Sequence, residues 1–143
     1  LIVYFDTSAL LPILIEEPSS GLASRLWDEA DRVVSSSLVY VEGRAALAMA
    51  RRMDRITARQ LRTAVNDFEG LHQQIDMVGV TSALVKEAGD AAERLGLRGY
   101  DAVHLASAQL VNDPEMVFAT GDQRLQEAAR AVGMATAQLH STA

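Results

Sequence analysis

The sequence of 143 residues contains no cysteine, which excludes a disulfide framework and any metal site built on thiolates. Its three histidines are widely spaced, so a zinc centre is not expected. No apolar run approaches the roughly 20 residues of a membrane-spanning helix. The first residues show neither the basic region nor the cleavage site of a secretory signal. These absences lead us to expect a soluble, cytoplasmic protein. Repeats, linkers and low-complexity tracts are missing as well, and 49% hydrophobic residues suffice for a real core; residues 1–143 are expected to form one domain. With sulfur absent and imidazole scarce, any bound metal has to be held by oxygen atoms.

Lysine is nearly absent too: Lys86 is the only one, and the formal net charge is −6. A uniformly acidic surface would repel nucleic acid, but the charge is not uniform. Between positions 44 and 62 stand Arg44, Arg51, Arg52, Arg55, Arg59 and Arg62 against the single acid Asp54, a net of +5 that leaves −11 on the remainder. Such a strip makes Arg51, Arg52 and Arg55 candidates for docking RNA or a partner. Plain solvation accounts for them equally well.

What is present begins with Leu1-Ile2-Val3-Tyr4-Phe5, an unbroken apolar run that passes directly into Asp6 and a helical pattern. A run apolar at every position suits a strand covered on both faces, as in the middle of a parallel sheet. The carboxyl ends of such strands are where an α/β fold places its chemistry. Asp6 is therefore expected at an active site, beside a helix start capped by Thr7 or Ser8, or else to be no more than a helix cap itself. Further strands are expected at 31–35, 77–80 and 116–119, with an edge strand within 134–139. Helices are expected between them, including a hairpin whose second helix runs from Thr57 to Ile75. The expected fold class is α/β, a parallel sheet of four to five strands flanked by helices.

Four acids share one address in this map. Asp6 follows the first strand, Glu42 lies in the helix after the second, Asp101 opens an alanine-rich helix, and Asp122 follows the fourth strand. Bare carboxylates about 4 Å apart repel by roughly 4 kcal/mol at an effective dielectric near 20. Such a cluster persists only with raised pKa values or a cation. Oxygen-only ligation selects Mg²⁺ or Mn²⁺, whose chemistry is water activation and leaving-group stabilisation at a phosphodiester. Taken singly, Asp101 and Asp122 read equally as helix caps. Glu42 is more informative, because Leu38-Val39-Tyr40-Val41 precede it and an acid on that apolar stretch needs a partner. His104, one turn after Asp101, is expected to pack or support a ligand rather than to be one. Ser8 and Thr120 are possible supports for the carboxylates.

The stretches Tyr4-Phe5-Asp6-Thr7-Ser8-Ala9-Leu10, Glu42 in its helix, Asp101-Ala102-Val103-His104-Leu105-Ala106 and Phe118-Ala119-Thr120-Gly121-Asp122 occur in an order and at separations that resemble a PIN domain. The particular likeness is to the VapC-type toxin ribonucleases. The resemblance covers nearly the whole chain. It implies a Mg²⁺- or Mn²⁺-dependent endoribonuclease, a homodimer, and inhibition by a small cognate antitoxin. By the same resemblance Asp6, Glu42, Asp101 and Asp122 are the catalytic and metal-binding residues. The chain departs from the pattern after Asp122: Gln123 and Arg124 stand where a further acid or Asn is common, which leaves a second metal open. A receiver domain would need an acidic pair after the first strand. A haloacid-dehalogenase-like phosphatase would need an acid in place of Ser8. The alternative from another class is a non-catalytic PIN-like module that binds RNA or protein.

Overall fold

The computed structural model describes residues 1–139, and β1 (Ile2–Phe5) is the middle strand of its five-stranded sheet. On one side lie β2 (Arg32–Ser36) and then β3 (Ile75–Val78); on the other lie β4 (Met116–Thr120) and then β5 (Ala135–Gln138). Every pairing is parallel, in a register that sets Val3 opposite both Val33 and Val117. The crossovers are helical, as parallel strands require: α1 (Thr7–Leu14), α2 (Ser20–Glu29), α3 (Val39–Arg52), α4 (Ala58–His72), α5 (Ser82–Leu95), α6 (Gly99–Val111) and α7 (Gln123–Ala131). The α/β parallel sheet expected from the sequence is therefore present, with five strands.

The unbroken apolar run of β1 reflects two cores. Val3 and Phe5 face one way and pack with Leu10, Ala23, Leu47 and Phe68 of α1 to α4. Tyr4 faces the other way and packs with Leu84, Leu105, Phe118 and Leu125, under α5 to α7. The Tyr4 and Phe118 rings stack with centroids 5.2 Å apart. Burying each large apolar side chain in these layers contributes about 1.5–3 kcal/mol.

Local boundaries differ from expectation at several points. Asp6, rather than Thr7 or Ser8, caps α1, its carboxylate accepting the Ala9 N–H. α1 ends at Leu14, with Pro12 inside it. α6 opens at Gly99, so Asp101 lies inside its first turn rather than at its start. Ile75 belongs to β3 and not to the preceding helix, because pairing with Val33 and burial on the sheet outweigh its fit to the helical stripe. The strand expected at 77–80 is thereby moved to Ile75–Val78.

α3 and α4 form the expected hairpin. Its second helix starts with a reciprocal cap between Thr57 and Gln60. The two helices pack tightly at Gly43, where an added Cβ would lie 2.5 Å from Phe68 Cε2 and Cζ. No helix among the described residues is long and apolar enough to cross a membrane.

Candidate active site

β1 is flanked by β2 on one side and β4 on the other, so the connections leaving β1 and β4 open a crevice at their carboxyl ends. A cavity of about 350 Å³ lies there, lined by Asp6, Thr7, Ser8, Glu42, Arg98, Asp101, His104 and Asp122, with Leu11, Ala45 and Ala46. The four acids singled out in the sequence are thus brought to one cavity by the ends of β1 and β4 and by α3 and α6. A larger cavity, about 520 Å³, lies at the opposite end of the sheet near Asn112, Met116 and Ala135. Among the described residues Asp113 is the only ionisable one that lines it, so the smaller cavity is the one equipped for chemistry.

Asp6 is 3% exposed, and both of its carboxylate oxygens accept hydrogen bonds. Its Oδ1 accepts hydrogen bonds from Ser8 Oγ at 2.8 Å and from the Ala9 N–H at 2.9 Å, and its Oδ2 accepts one from Thr120 Oγ1 at 2.7 Å. Burial pushes the Asp6 carboxyl above its ordinary value, partly offset by the nearby His104 and by these hydrogen bonds. Ser8 and Thr120 also accept the N–H groups of Gly121 and Asp122. The two hydroxyls therefore tie the turn after β4 to the start of α1. Close approach continues at Gly121, where a Cβ would stand 3.4 Å from Ser8 Oγ.

Glu42 is held differently. Its Oε1 accepts from Thr7 Oγ1 at 3.0 Å and is 2.7 Å from His104 Nε2. His104 Nδ1 is 2.8 Å from the Tyr4 hydroxyl, and both residues are buried. Burial pushes the Tyr4 hydroxyl far above its ordinary value, so it stays protonated. The Glu42 carboxylate can only accept, so Nε2 carries the proton in the bond between them. His104 is a packed support for an acid, as the sequence led us to expect.

Asp101 and Asp122 meet through Arg98. Arg98 Nε donates to Asp101 Oδ2 at 2.9 Å, and a terminal nitrogen donates to Asp122 Oδ2 at 3.0 Å. Asp122 is at the same time the cap of α7, its Oδ1 accepting the Leu125 N–H. Hydrogen bonding to Asp101, and then the charges of both acids, raise the Arg98 guanidinium above its ordinary value.

Thr7, Arg98 and Tyr4 were not singled out from the sequence as site residues. Arg98 stands three positions before Asp101, the spacing of a helical ion pair, and that spacing was the available signal. The hairpin arginines prove partly engaged: Arg51 pairs with Asp54 and Arg55 with Glu17, each at 3.0 Å, and Arg44 bonds the Tyr40 hydroxyl. Arg52 is exposed at the end of α3.

The donor chemistry suits a hard divalent ion, since every acid in the cavity offers oxygen. Asp101 and Asp122 are already arranged around a cation, the Arg98 guanidinium. Among the described residues no three His, Asp or Glu side chains form a ready-made ligand cluster. Glu42 is drawn toward His104, and Asp101 and Asp122 toward Arg98.

Residues 3–131 match the family model described as the PIN domain. The chain is 46% identical over 140 residues to Ribonuclease VapC45 of Mycobacterium tuberculosis, covering 96% of this chain and 97% of that one. Among solved structures it resembles Mycobacterium tuberculosis VapC20, described as a sarcin-ricin loop cleaving toxin, with a TM-score of 0.70 at 20% identity over 95% of this chain and 98% of that one. It also resembles a toxin-antitoxin complex from Klebsiella pneumoniae, with a TM-score of 0.58 at 14% identity over 84% of this chain and 86% of that one.

Proposed function

The chain belongs to the PIN domain family, and on that premise we propose that it is an endoribonuclease, the toxin of a toxin–antitoxin pair. It hydrolyses RNA phosphodiester bonds at the cavity lined by Asp6, Glu42, Asp101 and Asp122, with Mg²⁺ or Mn²⁺ as cofactor. One observation carries this reading: four carboxylates from separate segments line a single cavity at the carboxyl ends of a parallel sheet. The ribonuclease named among its relatives supports the reaction class.

Asp6, Glu42, Asp101 and Asp122 would hold the ion, which when bound supplies charge neutralisation at the phosphate and water activation near neutral pH. The chain's own residues fix the geometry. Ser8, Thr120 and the Ala9 N–H clamp both oxygens of Asp6. Thr7 and His104 aim Glu42. No side chain serves as nucleophile: water attacks phosphorus in line with the departing sugar oxygen and leaves 5′-phosphate and 3′-hydroxyl ends. A phosphodiester approaching four carboxylates is repelled unless a cation stands between them.

The chain acts as a homodimer held in check by a small antitoxin. An antitoxin tail carrying Arg or Lys would pair with Asp6 and Asp101 and compete with the metal. The apolar part of that tail would lie on α3, where Val41 and Met49 are exposed. Purified protein incubated with labelled structured RNA tests the reaction: cleavage requires Mg²⁺ or Mn²⁺ and stops in EDTA. Co-expression with the reading frame upstream tests the partnership. A neighbouring product that neither co-purifies nor suppresses cleavage overturns the toxin reading and leaves the nuclease reading standing.

A further inference from the structure

We propose that Arg98 is the resident counter-cation of the cleft: it bridges Asp101 and Asp122 until a divalent ion replaces it, and its released guanidinium then binds the RNA phosphate. This rests on the nuclease reading above and assigns it one more residue.

The atoms involved make the exchange specific. Asp122 has committed Oδ1 to the Leu125 N–H as the cap of α7, which leaves Oδ2 for any cation in the cavity. Oδ2 is the oxygen that Arg98 takes at 3.0 Å. Arg98 also takes Asp101 Oδ2 at 2.9 Å. A metal ion ligated by Asp122 therefore competes with Arg98 for one atom. Two cations on the same pair of carboxylates repel each other, so the arrival of one expels the other.

The released side chain has a route to substrate. Arg98 is 72% exposed, stands at the cap of α6 and borders the cavity itself. Its neighbour Gly99 carries no side chain to obstruct the swing. The planar fork that now spans two carboxylate oxygens fits two phosphate oxygens equally well. Among the described residues Arg98 is also the only arginine lining this cavity, while Arg51 and Arg55 are paired elsewhere. A phosphodiester seated against four acids thus finds its side-chain cation at Arg98.

Two measurements on the full chain test the exchange: calorimetric titration of the metal-free protein with Mn²⁺, and steady-state cleavage of the labelled RNA at saturating Mn²⁺. Arg98→Gln should bind Mn²⁺ about tenfold more tightly than wild type, because a competing cation is gone. The same variant should show a KM for RNA raised about tenfold with kcat changed much less, the mark of lost ground-state binding. Arg98→Lys keeps the charge without the fork and should fall between the two on both scales. A merely structural ion pair would not move the two affinities in opposite directions. If wild type binds Mn²⁺ and cleaves RNA while Arg98→Gln binds Mn²⁺ no more tightly, or keeps the wild-type KM, this proposal is overturned alone. A wild-type chain that neither binds Mn²⁺ nor cleaves RNA overturns the nuclease reading, and this inference with it.

Discussion

His104 Nε2 lies 2.7 Å from Glu42 Oε1, and the other nitrogen of the same ring lies 2.8 Å from the hydroxyl of Tyr4. Tyr4 and His104 belong to the layer under α5 to α7, whereas Glu42 comes from α3 on the opposite face. The two layers meet through these groups just beyond the end of β1. A core tyrosine thereby holds the ring of a buried histidine, and the histidine aims an acid into the cavity.

That chain of bonds predicts different outcomes for its two buried members. Tyr4→Phe keeps the stack on Phe118 and removes the hydroxyl with its bond to His104, so it should destabilise the fold by about 1–2 kcal/mol in urea unfolding. His104→Ala leaves a cavity and releases Glu42, and should cost about 2–4 kcal/mol. It should also slow cleavage by about ten- to a hundredfold at a temperature where the variant remains folded. Wild-type cleavage by folded His104→Ala would reduce the histidine to a packing role.

Asp6 predicts an unusual stability pattern in metal-free protein. Burial raises its carboxyl above the ordinary 3.8 in the folded state, so the folded state holds this proton more tightly than the unfolded chain. Its stabilising contribution is complete below the ordinary value and is lost as pH rises through the raised folded value. Above the ordinary value the raised carboxyl counts against the folded state, and Asp6→Asn should unfold at neutral pH at the same or a higher temperature than wild type. Added Mn²⁺ should raise the unfolding temperature of wild type and leave that of Asp6→Asn nearly unchanged. Thermal scans at acid and neutral pH check this; a variant much less stable than wild type at neutral pH contradicts it.

Gly43 should not tolerate a side chain. A Cβ there meets the edge of the Phe68 ring at 2.5 Å, and Phe68 is fully buried against Tyr40 and the sheet. Gly43→Ala should destabilise by about 1–3 kcal/mol, with part of the loss recovered when Phe68→Leu is added. Equilibrium unfolding of the single and double variants measures the coupling.

Reversal of Arg51, Arg52 and Arg55 together to Glu should weaken RNA binding and flatten its salt dependence if the hairpin docks phosphates. The exposed pairs with Asp54 and Glu17 that this breaks are worth about 0–1 kcal/mol each, so the fold should survive. An unchanged salt slope in anisotropy titrations assigns these side chains to solvent.

The sheet and its acidic edge were legible because they follow from local pattern. Five consecutive apolar residues ending at Asp6 name a central strand, and parallel strands deliver their ends to one edge. What the sequence did not reveal depends on distant partners. Arg98 reaches Asp122 across 24 positions and Tyr4 reaches His104 across 100, and no periodicity encodes either contact. Ile75 illustrates the same limit: its spacing from Phe68 and Leu71 fits a helix, and only its pairing with Val33 makes it a strand residue. Asp6 and Asp122 are helix caps and cavity acids at once, so the choice between those roles posed by the sequence was not a choice at all.

The most direct measurement is cleavage of a labelled structured RNA by wild type and Asp101→Asn at saturating Mn²⁺, with matched thermal unfolding of both proteins. Wild type should cleave in Mn²⁺ or Mg²⁺ and stop in EDTA. Asp101→Asn should remain folded and cleave at least about a hundredfold more slowly, because it removes a charge from the metal-holding set. Cleavage by Asp101→Asn at the wild-type rate, or wild-type cleavage that persists in EDTA, would contradict the assignment of this cavity.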